Sequence, residues 1–167
     1  MILAVDMYYY EAGAKVVGVL FESFDSKAPI DIIKKLLPPQ KEYEPGAFYK
    51  RELPCILELV NTLNREYIEL IIVDGYVYLD DHKKKGLGSY VFEALDTKIP
   101  VIGVAKSYFF TSAQLVAQVY RGESKKPLYV SAVGIELNKA KEYIQQMHGE
   151  YRMPYLLKLM DTETKKN

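Results

Sequence analysis

The short run Ile68 to Val73 narrows the choice of folds more than any other feature of this chain, because it is almost wholly apolar. A run without polar alternation is what a strand covered on both faces of a sheet requires. Pro100 to Ala105 is a second run of this kind. Around them the apolar period changes. Ile56, Leu57, Leu59, Val60 and Leu63 recur at helical spacing within Arg51 to Glu66, and Leu87 to Leu95 reads as a second helix. The chain opens with two β-rich runs, Ile2 to Tyr10 and Lys15 to Phe24, joined by Glu11-Ala12-Gly13-Ala14. That is a hairpin signal, with Gly13 able to take positive φ. Pro29 to Leu37 suits a third strand through Ile30, Ile32 and Ile33, or a helix through Lys34-Lys35-Leu36-Leu37; Pro38-Pro39 ends it in either case. Ala113 to Tyr120 is open to helix or strand, and Leu128 to Val133 reads as a strand. Asn138 to Met147 reads as a helix capped by Asn138, and Pro154 to Asp161 as a last helix opened by proline. This order predicts a mixed central sheet flanked by helices, in the α/β class.

With 167 residues, 26% of them charged, the chain is expected to form one domain, 1–167, burying roughly 70% of the surface its unfolded form exposes. Lys plus Arg and Asp plus Glu are 22 each. The balance excludes a protein that grips nucleic acid through bulk positive charge, though not one with a local basic patch. Cys55 is the only cysteine, so no internal disulfide framework and no cysteine-based metal knuckle can form. No apolar run reaches the roughly 18 residues of a membrane span. The start, Met-Ile-Leu-Ala-Val-Asp, lacks a basic region and reads as a strand rather than a signal peptide. A cytoplasmic, soluble protein with no membrane partner is expected, a monomer being favoured. Thr162 to Asn167 reads as a fraying tail. Among α/β architectures, the RNase H-like fold fits this element order best.

Asp6 interrupts the first strand, Glu52 opens the first helix, Asp74 ends the run Ile68 to Val73, and Asp161 lies near the end of the last helix. A charge inside a strand is costly unless it is paired or binds a metal. Strand ends are also where open α/β sheets place ligands. Carboxylate oxygens with few histidines suit hard cations such as Mg²⁺ or Mn²⁺. Each acid alone has an ordinary explanation: Asp6 as a polar residue on a solvent face, Glu52 as a first-turn acid favoured by the helix dipole, Asp74-Gly75 as a turn. Together they support a hydrolase or phosphoryl-transfer metal site and nothing finer.

Whole motifs say more. Tyr43-Glu44-Pro45-Gly46-Ala47-Phe48-Tyr49-Lys50-Arg51-Glu52, Val73-Asp74-Gly75, Gly86-Leu87-Gly88-Ser89, Ile102 to Ser107, Lys126 to Ser131, and Arg152-Met153-Pro154 with Asp161 occur in that order. The set resembles the endonuclease V family, from Asp6 to Asp161. The resemblance implies an RNase H-like fold and a divalent cation, normally Mg²⁺ with Mn²⁺ as the alternative. It also implies cleavage of the second phosphodiester bond 3′ to a deaminated base, typically hypoxanthine (inosine) in DNA or RNA. Carried over by position, Asp6, Glu52 and Asp74 would hold the cation. Glu52 or Asp161 would orient or deprotonate the attacking water, and Lys106 would touch the charged phosphate. Gly46, Phe48 and Gly75 match a base pocket lined by backbone, and Tyr43 with Pro45 matches a wedge that fills the space the base leaves. On the residues alone, without the surrounding motif, Lys106 reads first as a solvated lysine after a strand.

The chain also departs from the family. After Asp-Gly the usual second glycine and His-Pro-Arg are replaced by Tyr76-Val77-Tyr78-Leu79-Asp80-Asp81-His82-Lys83-Lys84-Lys85. Counting back from Gly86 puts Asp81 at the histidine position, and a shift of one puts His82 there. Glu42 and Glu44 flank the wedge, which favours flexible or single-stranded substrates. Two other readings follow: a nucleic-acid-binding homologue with weakened cleavage, or an RNase H-like metal phosphohydrolase with another substrate. Of the 15 tyrosines, Tyr8, Tyr9 and Tyr10 would alternate across a sheet, where exposed rings could stack on bases.

Overall fold

The computed structural model describes residues 1–38, 49–109 and 114–166. Along the chain run β1 (Ile2–Tyr10), β2 (Gly13–Phe21), β3 (Asp31–Leu37), α1 (Tyr49–Val60), β4 (Leu70–Asp74), α2 (Leu87–Ala94), β5 (Val101–Ala105), β6 (Ala117–Val119), β7 (Leu128–Val133), α3 (Leu137–Gln146) and α4 (Tyr155–Lys165). The strands form a mixed sheet in the order β3-β2-β1-β4-β5-β7-β6. β1, β4 and β5 pair in parallel, and the strands outside them pair antiparallel.

Strand alternation divides the core. Ile2 and Ala4 of β1 join Ile72, Ile102 and the α3 and α4 residues Ile144, Leu156 and Met160 on one face. Leu3 and Val5 join Ile71, Val73 and the α1 and α2 residues Ile56, Leu59 and Val91 on the other. The central strands therefore need apolar residues at every position, which is why their sequence runs are unbroken. β1 pairs with β4 only from Ile2 to Val5, while its pairing with β2 continues to Tyr10. The far end of β1 thus leaves the parallel layer, and polar residues appear from Asp6 onward.

The ambiguous Pro29 to Leu37 segment is a strand, because β2 would otherwise leave its outer backbone groups unpaired from Ala14 to Leu20. Ala117–Val119 is likewise a strand, paired with β7. α1 stops at Val60, so Leu63 is not helical. It closes a tighter turn, its N–H donating to the Val60 carbonyl at 3.0 Å, and still packs on the core. Asn138 is not the cap of α3: Glu136 takes that place, its carbonyl accepting the Ala140 N–H at 3.0 Å. The expected fraying tail is corrected as well. α4 continues to Lys165 with Glu163 and Thr164 buried, because Lys15 Nζ donates to the carbonyls of Glu163 (2.7 Å) and Lys166 (2.8 Å). Among the described residues, no helix is long and apolar enough to cross a membrane.

Candidate active site

Val5 pairs with Val73 at the last parallel rung, so Asp6 and Asp74 are the next residues of the two strands, just beyond the end of that pairing. The Met7 N–H donates to Asp6 Oδ1 at 2.8 Å. Burial, the charge of Asp74 and, more weakly, Glu52 and Asp161 push Asp6 up to about 7. Burial and Asp74 raise Glu52, in the first turn of α1, to about 7 as well, against the pull of Arg51. Asp74 is raised by burial and by Asp161, opposed by Lys106 and Lys165. Asp74 is the one exposed residue of β4, at the strand's end.

Asp161 behaves oppositely. Burial works against its ionisation, but a hydrogen bond from Lys165 and the charges of Lys106 and Lys158 hold it below the usual carboxylate range. Lys165 Nζ lies 3.1 Å, Lys158 3.7 Å and Lys106 3.8 Å from this carboxylate. A small cavity of about 10 Å³, room for one water-sized species, lies among Asp6, Asp74, Lys106 and Asp161, with Ile72, Leu157 and Met160 beneath. Arg152 secures this corner. Its Nη2 donates to the carbonyls of Lys106 (2.5 Å) and Pro127 (2.6 Å), tying the end of β5 to the segments before β7 and α4.

Beside the acids opens a larger cavity of about 310 Å³, lined by Gly75, Tyr76, Leu79, Leu87 and Phe109, with Glu52 and Asp74 also facing it. Tyr76 Oη donates to the Ser107 carbonyl at 2.6 Å and accepts from the Phe109 N–H at 3.2 Å, so the phenol braces the loop after β5. Two glycines shape the wall. Gly75 has φ +133°, which L side chains rarely adopt. A Cβ on Gly103 would lie 2.5 Å from the Gly75 carbonyl oxygen and 2.8 Å from Ser131 Oγ, so only glycine lets the Asp74-Gly75 turn approach β5. Ser131 Oγ accepts the Val77 N–H at 2.9 Å and pins the far side of that turn.

The structure thus brings Asp6, Glu52, Asp74, Lys106 and Asp161 to the ends of the parallel strands, with Gly75 in the adjoining cavity. His82 is not brought there. It is exposed in a turn where Asp80 Oδ1 accepts the N–H groups of His82 (2.8 Å) and Lys84 (3.0 Å). Asp81 is the inward residue of that loop, its Oδ1 buried and without a hydrogen-bond partner. Tyr43, Pro45, Gly46 and Phe48, with Glu42 and Glu44, lie outside the described residues. Among the described residues, no three His, Cys, Asp or Glu side chains are grouped so as to hold a metal ion. The donors are nevertheless all oxygen, and the acids raise one another's proton affinity. That is the charge excess a hard divalent cation relieves, and oxygen donors suit one. Sequence reading missed Tyr76, Phe109, Ser131 and Lys165. The motif runs through Ser131 and up to Ser107 contain the signal, but their roles rest on partners distant in the chain.

The family model described as Endonuclease V matches residues 1–162. An endonuclease V of Bacillus thuringiensis subsp. konkukian is 26% identical, over 99% of this chain and 80% of its own length. Human ENDOV superposes with a TM-score of 0.76 at 22% identity, covering 98% of this chain and 82% of the human one. Ciona intestinalis endonuclease V superposes with a TM-score of 0.78 at 16% identity, covering 98% and 83%; that protein was crystallised with a 24mer DNA containing an inosine followed by a ribo-adenosine. These likenesses establish the RNase H-like α/β fold.

Proposed function

This chain belongs to the endonuclease V family, and on that premise we propose that it is a divalent-metal-dependent endonuclease that hydrolyses a phosphodiester bond 3′ to a deaminated base, inosine or hypoxanthine, in DNA or RNA. The observation that carries the reading is the adjacency of Asp6 and Asp74 at the ends of neighbouring parallel strands, with Lys106 and Asp161 across a cavity the size of one water molecule. The DNA held by the Ciona relative, which contains inosine, supports a nucleic-acid substrate.

Asp6 and Asp74, completed by Glu52, would hold the cation, Mg²⁺ or Mn²⁺. When bound, it supplies charge neutralisation at the scissile phosphate and a more acidic water. Asp161, kept ionised by its lysines, accepts a hydrogen bond from the attacking water and orients it. The water oxygen forms the new bond to phosphorus while the P–O bond to the leaving sugar oxygen breaks. Lys106 is exposed toward solvent and placed to stabilise the charge on the phosphate or leaving oxygen as that bond opens. The Tyr76–Phe109 cavity, about 310 Å³ with apolar walls and backbone at Gly75, takes the extruded base.

A second reading, a nucleic-acid-binding homologue with weakened cleavage, is favoured by one observation: His82 stands away from the cavity. The deciding experiment is a panel of end-labelled oligonucleotides, DNA and RNA, single- and double-stranded, each with one inosine, incubated with Mg²⁺ or Mn²⁺. Metal-dependent cutting 3′ to the inosine is expected. Binding without cutting selects the second reading, and neither binding nor cutting removes both.

A further inference from the structure

The face of β1 that carries Asp6 continues beyond it. Tyr8 and Tyr10 follow at the same parity, both exposed, while Tyr9 turns to the opposite face, beneath the Arg51 guanidinium at 3.6 Å. Tyr8 and Tyr10 form one wall of a groove of about 600 Å³ whose other wall is the C-terminal end of α4. The lining also contains Lys15, Lys34, Lys165 and Lys166, and among the described residues it contains no acid.

These lysines are not randomly splayed. Lys34 Nζ lies 2.6 Å and Lys166 Nζ 2.7 Å from the same carboxylate, Glu163, whose side chain is buried. Lys165 is anchored on Asp161 at 3.1 Å. One buried anion shared by two ammoniums leaves a positive surplus at the surface. It also holds the ammoniums in position, so less side-chain entropy is lost when an anion arrives. The two elements that line the groove also carry residues of the candidate active site, β1 from Asp6 to Tyr8 and α4 from Asp161 to Lys165. Along β1 the step from Asp6 to Tyr8, and from Tyr8 to Tyr10, is about 7 Å each, a stride that successive nucleotides of an extended strand can match.

We infer that this groove is a second nucleic-acid subsite. It takes the single-stranded segment that continues from the cleaved bond, with Tyr8 and Tyr10 as stacking platforms and Lys34, Lys165 and Lys166 holding phosphates. The inference rests on the reading of the chain as a nuclease only for where the strand starts; the aromatic and basic lining stands by itself. Stacking platforms joined to a positive groove are the physical means of binding single strands without reading sequence.

The test is equilibrium binding by fluorescence anisotropy in metal-free buffer, so that no result depends on cleavage. Three fluorescein-labelled single-stranded probes are used: a core of about six nucleotides containing one inosine, and that core extended by about six on its 5′ or its 3′ side. One extension is expected to tighten binding at least tenfold. Tyr8→Ala/Tyr10→Ala should lose roughly that factor on the extended probe alone, whereas Tyr8→Phe/Tyr10→Phe should keep it. Lys166→Gln should reduce the slope of log affinity against log salt by about 0.7. If neither extension tightens binding, or if the alanine variant keeps the gain, the subsite is overturned. An intact length effect in a protein that fails to cut inosine probes with Mg²⁺ would instead overturn the proposed activity and leave the subsite standing.

Discussion

Lys106 and Asp161 meet at the mouth of the cleft, Nζ 3.8 Å from Oδ1, one just past β5 and the other on α4. The same carboxylate lies closer to Lys165, at 3.1 Å, and at a similar distance from Lys158, at 3.7 Å. With three ammoniums around one acid, Lys106 is held in place without being neutralised. With the lysine ends of these pairs exposed, they add little to stability. In the proposed reaction that charge would meet a phosphate.

Lys106→Ala should therefore lower kcat by roughly 10²–10³, the scale of losing one charge-stabilising donor, with much less change in substrate binding. Single-turnover cleavage beside a binding titration measures both. An unchanged rate in a folded variant would return Lys106 to an ordinary solvated lysine.

Asp6 and Glu52 stand at about 7, chiefly through burial, well above their values near 4 in an unfolded chain. Between about pH 4 and 7 the folded form then holds more protons, so stability falls as pH rises through that window. The metal-free protein should melt higher at about pH 5 than at about pH 8. Asp6→Asn should recover part of the difference, each kcal/mol moving Tm by about 2–4 °C. Mg²⁺ or Mn²⁺ should raise Tm more at the higher pH, where the acids are free to bind it. A Tm that climbs with pH across this range, with no response to either cation, would contradict the site.

Gly103→Ala tests the contact that seats the Asp74-Gly75 turn, since the new Cβ would meet the Gly75 carbonyl oxygen at 2.5 Å. Overpacking of this kind costs about 1–3 kcal/mol, and relief requires moving the turn that carries Asp74. Both Tm and cleavage should fall. A stable, fully active variant would show that β5 yields instead.

The Tyr76 to Lys85 loop should weaken base discrimination. The Tyr78–Lys85 bridge and the Leu79 N–H to Lys84 carbonyl bond (2.7 Å) close it on itself, leaving His82 in solvent. Each hydrogen bond missing from a purine edge costs about 1–3 kcal/mol of selectivity. Matched oligonucleotides carrying inosine, guanine or adenine, single-stranded and duplex, should show a smaller inosine preference than relatives with the family histidine, and a bias to single strands. Strong inosine preference on duplex DNA would disprove this.

Some of this protein could be read directly from its residues. The unbroken apolar runs of β4 and β5 announce burial on two faces, and the full span of β7, Leu128–Val133, is legible from local pattern. Asp6, Glu52 and Asp74 stand out because an acid inside or at the end of an apolar element needs a reason. These signals are local, carried by side-chain period and by the cost of burying charge. Other features depend on partners far away in sequence. Pro29 to Leu37 became a strand because β2 offered it a ladder, and α4 ran on past Asp161 because Lys15, on β2, caps its last carbonyls. Tyr76 became a wall of the cavity only through Ser107 and Phe109, and Asp161 gained its low proton affinity from Lys106 as well as from its own helix. Period and propensity act over a few residues, whereas hydrogen-bond satisfaction and charge pairing act through space. Composition and spacing could therefore nominate the acids, while only the assembled sheet and its helices decided which lysines, glycines and rings surround them.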